Sequence, residues 1–256
     1  MRIASAMLLG ILLVSTGCKT DQAARQAENM DKRQTPAVAA LDPAMTGTLK
    51  GTITFQGKAP DRVRIDMSAD PGCKGAENDT EQYVVGKKSA LANVYIYVKS
   101  GLPANVRFPA KTDVVVLDQK HCRFVPHVIA VQVGEPVEVR NSDPTVHNVH
   151  TMADMVGNAA TDISQPPSSG PQRESFSQPE AMLPVRCNNH PWMNAFINIS
   201  ATPFFAVTGP DGKFEIHGLP PGVYTIAAVQ EKLGEQTQQV TIATQVTSQA
   251  NFTYSQ

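Results

Sequence analysis

The sequence predicts an all-β chain built of two β-sandwiches. Three observations carry this reading. Apolar residues fall in short runs that alternate with polar ones, which is the period of a half-buried strand. The runs are punctuated by Gly and Pro, of which the chain has 17 and 19. Its 256 residues exceed the needs of one small sandwich and suit two β domains with processing segments in front. The formal net charge is −1, so no basic field is present to hold a nucleic acid.

Residues 1–17 read as a signal peptide. Arg2 supplies a positive start, and residues 7–14 (MLLGILLV) form an apolar core too short to span a bilayer as a mature helix. Ser15, Thr16 and Gly17 then lead to Cys18. This segment resembles a bacterial lipobox, with Ser15 where Leu is usual. The resemblance implies cleavage before Cys18, a diacylglycerol on its thiol, and anchorage in the cell envelope. Lys19 in place of Asp points to the outer membrane. The alternative is an ordinary secretory signal with an incidental cysteine. Residues 18–46, rich in Ala, Gln and charge, read as a flexible lipid-anchored tether.

Export bears on the four cysteines. With Cys18 lipidated, Cys73 and Cys122 can pair in an oxidising compartment. That bridge closes a loop of about 50 residues, which the chain-entropy model values at about 4 kcal/mol. Cys187 is left over, and a metal is a good reason for an unpaired exported cysteine. Pairing of Cys187 with Cys73 or Cys122 is the alternative.

Beyond the tether, residues 47–57 alternate, with Leu49, Ile53 and Phe55 on one face and a break at Gly51. Residues 62–67 (RVRIDM) alternate again, and both segments read as strands. The same texture returns after residue 203. Residues 204–208, 223–229, 239–242 and 250–254 read as strands, as does a short run with Phe214 and Ile216. Turns lie at 209–212 and 218–222. Asp211-Gly212-Lys213-Phe214, followed by Leu219-Pro220-Pro221-Gly222-Val223-Tyr224, resembles the signature of the carboxypeptidase-regulatory-like, transthyretin-type sandwich. Residues 47–53 resemble that family's opening strand. The economical organisation is therefore one sandwich in two pieces, 47–88 and 201–256, interrupted by a domain at 89–200. Two sandwiches in tandem are the alternative.

Within the insertion, residues 124–143 read as two strands around Gly134. Val146-His147-Asn148-Val149-His150 follows, and about forty residues later comes Cys187-Asn188-Asn189-His190-Pro191-Trp192-Met193. Thiolate, imidazole and thioether together are the donors that copper prefers. Two His and a Cys make a trigonal set, and Met suits a long axial position. A structural zinc site would want a fourth strong ligand, and no C-x2-C pair is present. A Cys/His nucleophile would leave His147 and Met193 without a role.

These residues resemble the cupredoxins, and among them the amicyanin-like group with its short C-x2-H-P-x-M ligand loop. The resemblance implies a Greek-key sandwich and one mononuclear type 1 copper on His147, Cys187, His190 and Met193. It implies that Asn148 bridges the two ligand loops and that Pro191, lacking an N–H, donates nothing near the sulfur. It also implies one-electron transfer through the exposed edge of His190, with Pro144, Pro191 and Trp192 as an apolar docking patch. No substrate is turned over, so the chain is not expected to be an enzyme. The partner would be a redox protein such as a c-type cytochrome or a periplasmic dehydrogenase. The strand reading puts His150 on one face with His147, and the family pattern selects the first. His127 is expected to be buried behind the site, and His121 and His217 to be surface or structural residues. Residues 158–178 read as a polar loop with little regular structure, serving as docking surface, lid or spacer. Copper storage or delivery, and a metal-free surface interaction module, are the alternative functions.

Overall fold

The computed structural model describes residues 37–38, 42–102, 106–153 and 157–256. The signal peptide 1–17, Cys18 and most of the tether 18–46 lie outside the described residues. The chain is all-β. Among the described residues, regular structure consists of strands and three short 3-10 turns. The two sandwiches lie in one compact unit, Val38–Gln256.

The first sandwich has Gly47–Phe55 at the centre of one sheet. This strand pairs with Lys213–Leu219 on one side and with Thr247–Gln249 and Phe252–Tyr254 on the other. Its burial alternates as the sequence predicts, because Leu49, Ile53 and Phe55 face the core. Gly51 interrupts the apolar face for a reason of space. A Cβ there would lie 1.7 Å from the carbonyl oxygen of Ala250. The opposing sheet runs Phe205–Val207, Tyr95–Ser100, Gly222–Gln230, Gly234–Ile242. Tyr224, the last residue of the Leu-Pro-Pro-Gly-x-Tyr signature, is buried and donates its hydroxyl hydrogen bond to the carbonyl of Pro220 at 2.7 Å. A buried phenol needs such a partner, and here it closes the turn before its own strand.

Two expectations are corrected here. The boundary at 88/89 falls too early. Tyr95–Ser100 pairs with Gly222–Gln230, and Leu91, Val94, Ile96 and Val98 pack in the first core. The strand is apolar enough to belong to either sandwich by pattern, and its hydrogen-bonded neighbours decide. Residues 62–67 are not a strand. They make only an isolated bridge, Arg64 to Asp79, while Ile65 and Met67 pack singly onto the second core. Their period-2 pattern reflects one-sided packing of an irregular segment.

The second sandwich has a five-stranded sheet in the order Asp162–Gln165, His147–Thr151, Glu180–Arg186, Asn194–Ser200, Val128–Gln132. Facing it is a sheet in the order Gln172–Glu174, Val137–Asn141, Val115–Gln119, Phe124–Val125. The chain crosses between the sheets repeatedly, passing from Phe124–Val125 to Val128–Gln132, on to Val137–Asn141 and back to His147–Thr151. Leu117, Val131, Val137, Leu183, Val185 and Ile197 fill the core between them.

Segment 66–76 leaves the first sandwich and lies against the second. We refer to it as the strap. Met67 and Cys73 are buried in the second core, and Cys73 is bonded to Cys122 with a Cα–Cα distance of 5.7 Å. Asn78 donates to the carbonyl of His121 at 2.6 Å. The bridge spans a sequence separation of 49. Replacing both cysteines by serine should lower unfolding free energy by about 2–4 kcal/mol. Urea denaturation of the double variant beside the parent checks this, and an unchanged midpoint would contradict it.

Candidate metal centre

The second sandwich brings His147, Cys187 and His190 together, with one ligand-capable atom of each within 4.8 Å of the others. His147 opens the strand His147–Thr151. Cys187 to Met193 connects the antiparallel strands Glu180–Arg186 and Asn194–Ser200, whose last register pair is Arg186 with Asn194. The connection is closed by its own backbone. Met193 N–H donates to the His190 carbonyl at 2.9 Å, and Cys187 N–H to the Met193 carbonyl at 3.3 Å. Four side chains are thereby sealed in: His147 at 0%, Met193 at 1%, and Cys187 and His190 at 3% exposure.

The imidazoles meet through Nδ1. His147 Nδ1 and His190 Nδ1 are 2.9 Å apart, and Cys187 Sγ lies 3.5 Å from the latter and 4.0 Å from the former. Each outer nitrogen ends on a carboxylate: His147 Nε2 on Asp143 Oδ2 at 2.9 Å, His190 Nε2 on Asp70 Oδ2 at 2.7 Å. An ionised carboxylate only accepts, so both Nε2 atoms carry hydrogen and donate. In neutral rings that leaves both Nδ1 lone pairs turned inward, toward the sulfur.

Burial alone would lower His147, but its hydrogen bond to Asp143 and the pairing with Cys187 outweigh that and raise it to about 9. Burial alone would raise Cys187. Hydrogen bonding with His147 and the Asn148 N–H, the close approach of His190 and the Asn189 N–H bring it down to about 6. Hydrogen bonds from His190, the Gly72 N–H and Thr145 hold Asp70 down to about 2. Burial opposes ionisation of Asp143, yet donors from His147 and the Cys122 and His121 N–H groups leave it below the usual carboxylate range. The pairing thus draws Cys187 toward its thiolate form and His147 toward its protonated form.

Asn148 ties the two ligand-bearing segments. Its N–H donates to Cys187 Sγ at 3.4 Å, its side-chain oxygen accepts from the Asn188 N–H, and its amide nitrogen donates to Asp162. Pro191 is exposed next to the site. Trp192 is half-buried, packs on His190 with ring centroids 5.1 Å apart, and donates its Nε1 hydrogen to the Cys122 carbonyl at 3.2 Å.

Four expectations change. His190 presents no exposed edge, because the strap covers it through Asp70. His150 does not share a face with His147. Residues three apart on a period-2 strand point to opposite sides. His150 is half-buried and pairs with the Asn188 side chain at 3.0 Å. His127 is buried, but its Nε2 bonds Glu231 of the first sandwich at 2.7 Å and its Nδ1 reaches the Asn194 carbonyl. It serves the junction between the sandwiches. Residues 158–178 hold two strands, one of which, Asp162–Gln165, pairs with the ligand strand so that Gln165 faces His147 in register. Asp162 thereby supports both Asn148 and Asn188. Asp70, Asp143 and Asp162 were not singled out from sequence. Only Asp143, four residues before His147, carried a local signal.

No protein-family model and no curated protein matches the chain. Solved structures that resemble it include a copper-containing nitrite reductase from Thermus scotoductus SA-01, with 19% identity, TM-score 0.32, and 40% of this chain and 25% of that one covered. The chain thus spans a quarter of that enzyme's length. Amicyanin from Paracoccus versutus matches with 21% identity and TM-score 0.31, over 41% of this chain and 97% of that one. A Cu(I) amicyanin variant matches with 20% identity and TM-score 0.31, over 42% and 99%.

The signs of the two titrations are opposite. The depressed Cys187 contributes stability that is full above the ordinary thiol value of about 8.5 and lost as pH falls through about 6. The raised His147 contributes stability that is full below about 6.5 and lost as pH rises through about 9. In metal-free protein, the ultraviolet thiolate absorbance of Cys187 should rise with a pH midpoint near 6. Subtracting the spectrum of Cys187→Ser at each pH checks this, and a midpoint near an unperturbed thiol's would refute the lowered thiol.

Proposed function

We propose that the second sandwich is a cupredoxin-type domain holding one type 1 copper for one-electron transfer in the bacterial cell envelope. The observation that carries the reading is the inward convergence of His147 Nδ1, His190 Nδ1 and Cys187 Sγ, with each imidazole's outer nitrogen tied to a carboxylate. That donor set fits copper. It provides two imidazoles and a thiol already drawn toward its anionic form, with Met193 buried in the same seven-residue connection. Bound copper would supply a centre that cycles between Cu(II) and Cu(I).

The chain's own part is to hold the donors still. His147 and Asn148 sit on a central strand, Cys187 and His190 on a backbone-closed connection between two others, and Asn148 joins the two. A frame of this kind keeps one donor geometry whichever oxidation state it contains, which is what rapid electron exchange asks of a protein. Nucleophilic catalysis fits less well. Cys187 is buried, and the outer nitrogens of both histidines are already occupied. The chain is accordingly read as a carrier rather than an enzyme.

Near the site, Pro144, Val146 and Pro191 are exposed and offer apolar surface for a redox partner such as a c-type cytochrome or a periplasmic dehydrogenase. Lipid anchorage through Cys18 rests on the sequence of residues 1–18 and remains part of the proposal. Among the described residues no helix is long and apolar enough to cross a membrane.

The test is titration of the full chain with Cu(II), followed by visible absorption. One equivalent should produce an intense thiolate-to-copper band. Cys187→Ser should abolish the band, and His147→Ala should abolish it or shift it. A protein that stays colourless and binds no Cu(II) stoichiometrically would overturn the reading.

A further inference from the structure

His190 has a partner that its own sandwich does not provide. Asp70 lies 120 residues away in sequence, on the strap, and accepts from His190 Nε2 at 2.7 Å. The same carboxylate accepts from the Gly72 N–H at 2.6 Å and from the hydroxyl of Thr145 at 2.8 Å, two residues before His147. The strap is held by the Cys73–Cys122 disulfide, the buried Met67 and the Asn78 contact to His121. Its approach to the ligand-bearing segment is close. A Cβ on Gly72 would stand 2.6 Å from Thr145 Cβ.

We propose that Asp70 is the positioning residue for His190. It sets the imidazole's tautomer and ring direction so that Nδ1 faces Cys187, and the disulfide-held strap exists in part to deliver it. This rests on the copper reading for its purpose, but its physical content concerns the metal-free protein. An ionised carboxylate beside Nε2 requires the hydrogen there and leaves Nδ1 as a lone pair. Such carboxylate partners fix the orientation and raise the basicity of metal-binding histidines. A negative charge held beside the ring also favours the more highly charged metal state. With Asn at position 70, an amide oxygen bonded to the Gly72 N–H turns an N–H2 donor toward Nε2. His190 then gains by moving its hydrogen to Nδ1, the nitrogen that has to face the metal.

The experiment compares the full chain with Asp70→Asn and Gly72→Ala, the second of which keeps the carboxylate but crowds the strap away from Thr145. Nitrogen NMR of histidine-labelled, metal-free protein reads the His190 tautomer, and competition titrations read Cu(II) and Cu(I) affinity. The parent should show hydrogen on Nε2, and Asp70→Asn should move it to Nδ1. Cu(II) affinity should fall by roughly 10- to 100-fold in Asp70→Asn. It should fall more than Cu(I) affinity, each tenfold change in their ratio raising the reduction potential by about 59 mV. Gly72→Ala should show the same changes in smaller degree. Loss of stability without a change of tautomer or of the Cu(II)/Cu(I) ratio would reduce Asp70 to a structural residue and overturn the proposal. A parent protein that binds no copper would retire the copper reading, and the tautomer comparison would still decide the role of Asp70.

Discussion

Three chelating side chains can be buried side by side only if their remaining polar atoms are satisfied and their charges balanced. A buried imidazole or thiolate without partners would cost several kcal/mol or change its protonation. The site meets this demand with two carboxylate–imidazole hydrogen bonds and a set of N–H donors aimed at the sulfur. Much of the surrounding architecture follows. Asp143 must sit at the end of the strand Val137–Asn141, the strap must cross from the first sandwich, and the polar strand Asp162–Gln165 must flank His147–Thr151 to orient Asn148.

The strap also explains why the Cys73–Cys122 pair lies where it does. Its residues are polar, largely exposed and without strand pairing, so hydrophobic burial alone would hold them weakly. Met67 and the disulfide supply fixed points on either side of Asp70. A covalent bond at Cys73, three residues from that carboxylate, restricts how far it can wander from His190.

The candidate donors stood out because their chemistry is concentrated. Cys187, His190 and Met193 fall within seven positions, and donor types in so small a space have few other uses. The two-sandwich architecture was legible from alternation and turn chemistry around Gly and Pro. Asp70 was not, since an aspartate in a charged, Pro-flanked segment looks like a solvated turn, and its role depends on a contact across 120 residues. One clue was present in Cys73: a bond to Cys122 brings its neighbours to the edge of the second sandwich. The strands at Asp162–Gln165 and Gln172–Glu174 were hidden because edge strands bury little and therefore need no apolar pattern. The position of Tyr95–Ser100 was hidden because alternation reports a strand without naming its sheet.

The second sandwich is joined to the first through two adjacent strands. It departs after Tyr95–Ser100 and returns at Phe205–Val207, and these two strands are hydrogen-bonded to each other, with Phe205 beside Tyr97. Entry and exit therefore lie together, the arrangement from which a domain could be excised or transplanted with a short splice. Yet the strap belongs to the chain before that entry point. A graft bounded by the two strands would carry all four sulfur and imidazole donors but leave Asp70 and Cys73 behind. It would arrive in a new host with one histidine unsupported and Cys122 a free thiol. In this protein the strands that bound the second sandwich and the contacts of the His147–Cys187–His190 cluster do not coincide, which ties the fate of the two sandwiches together.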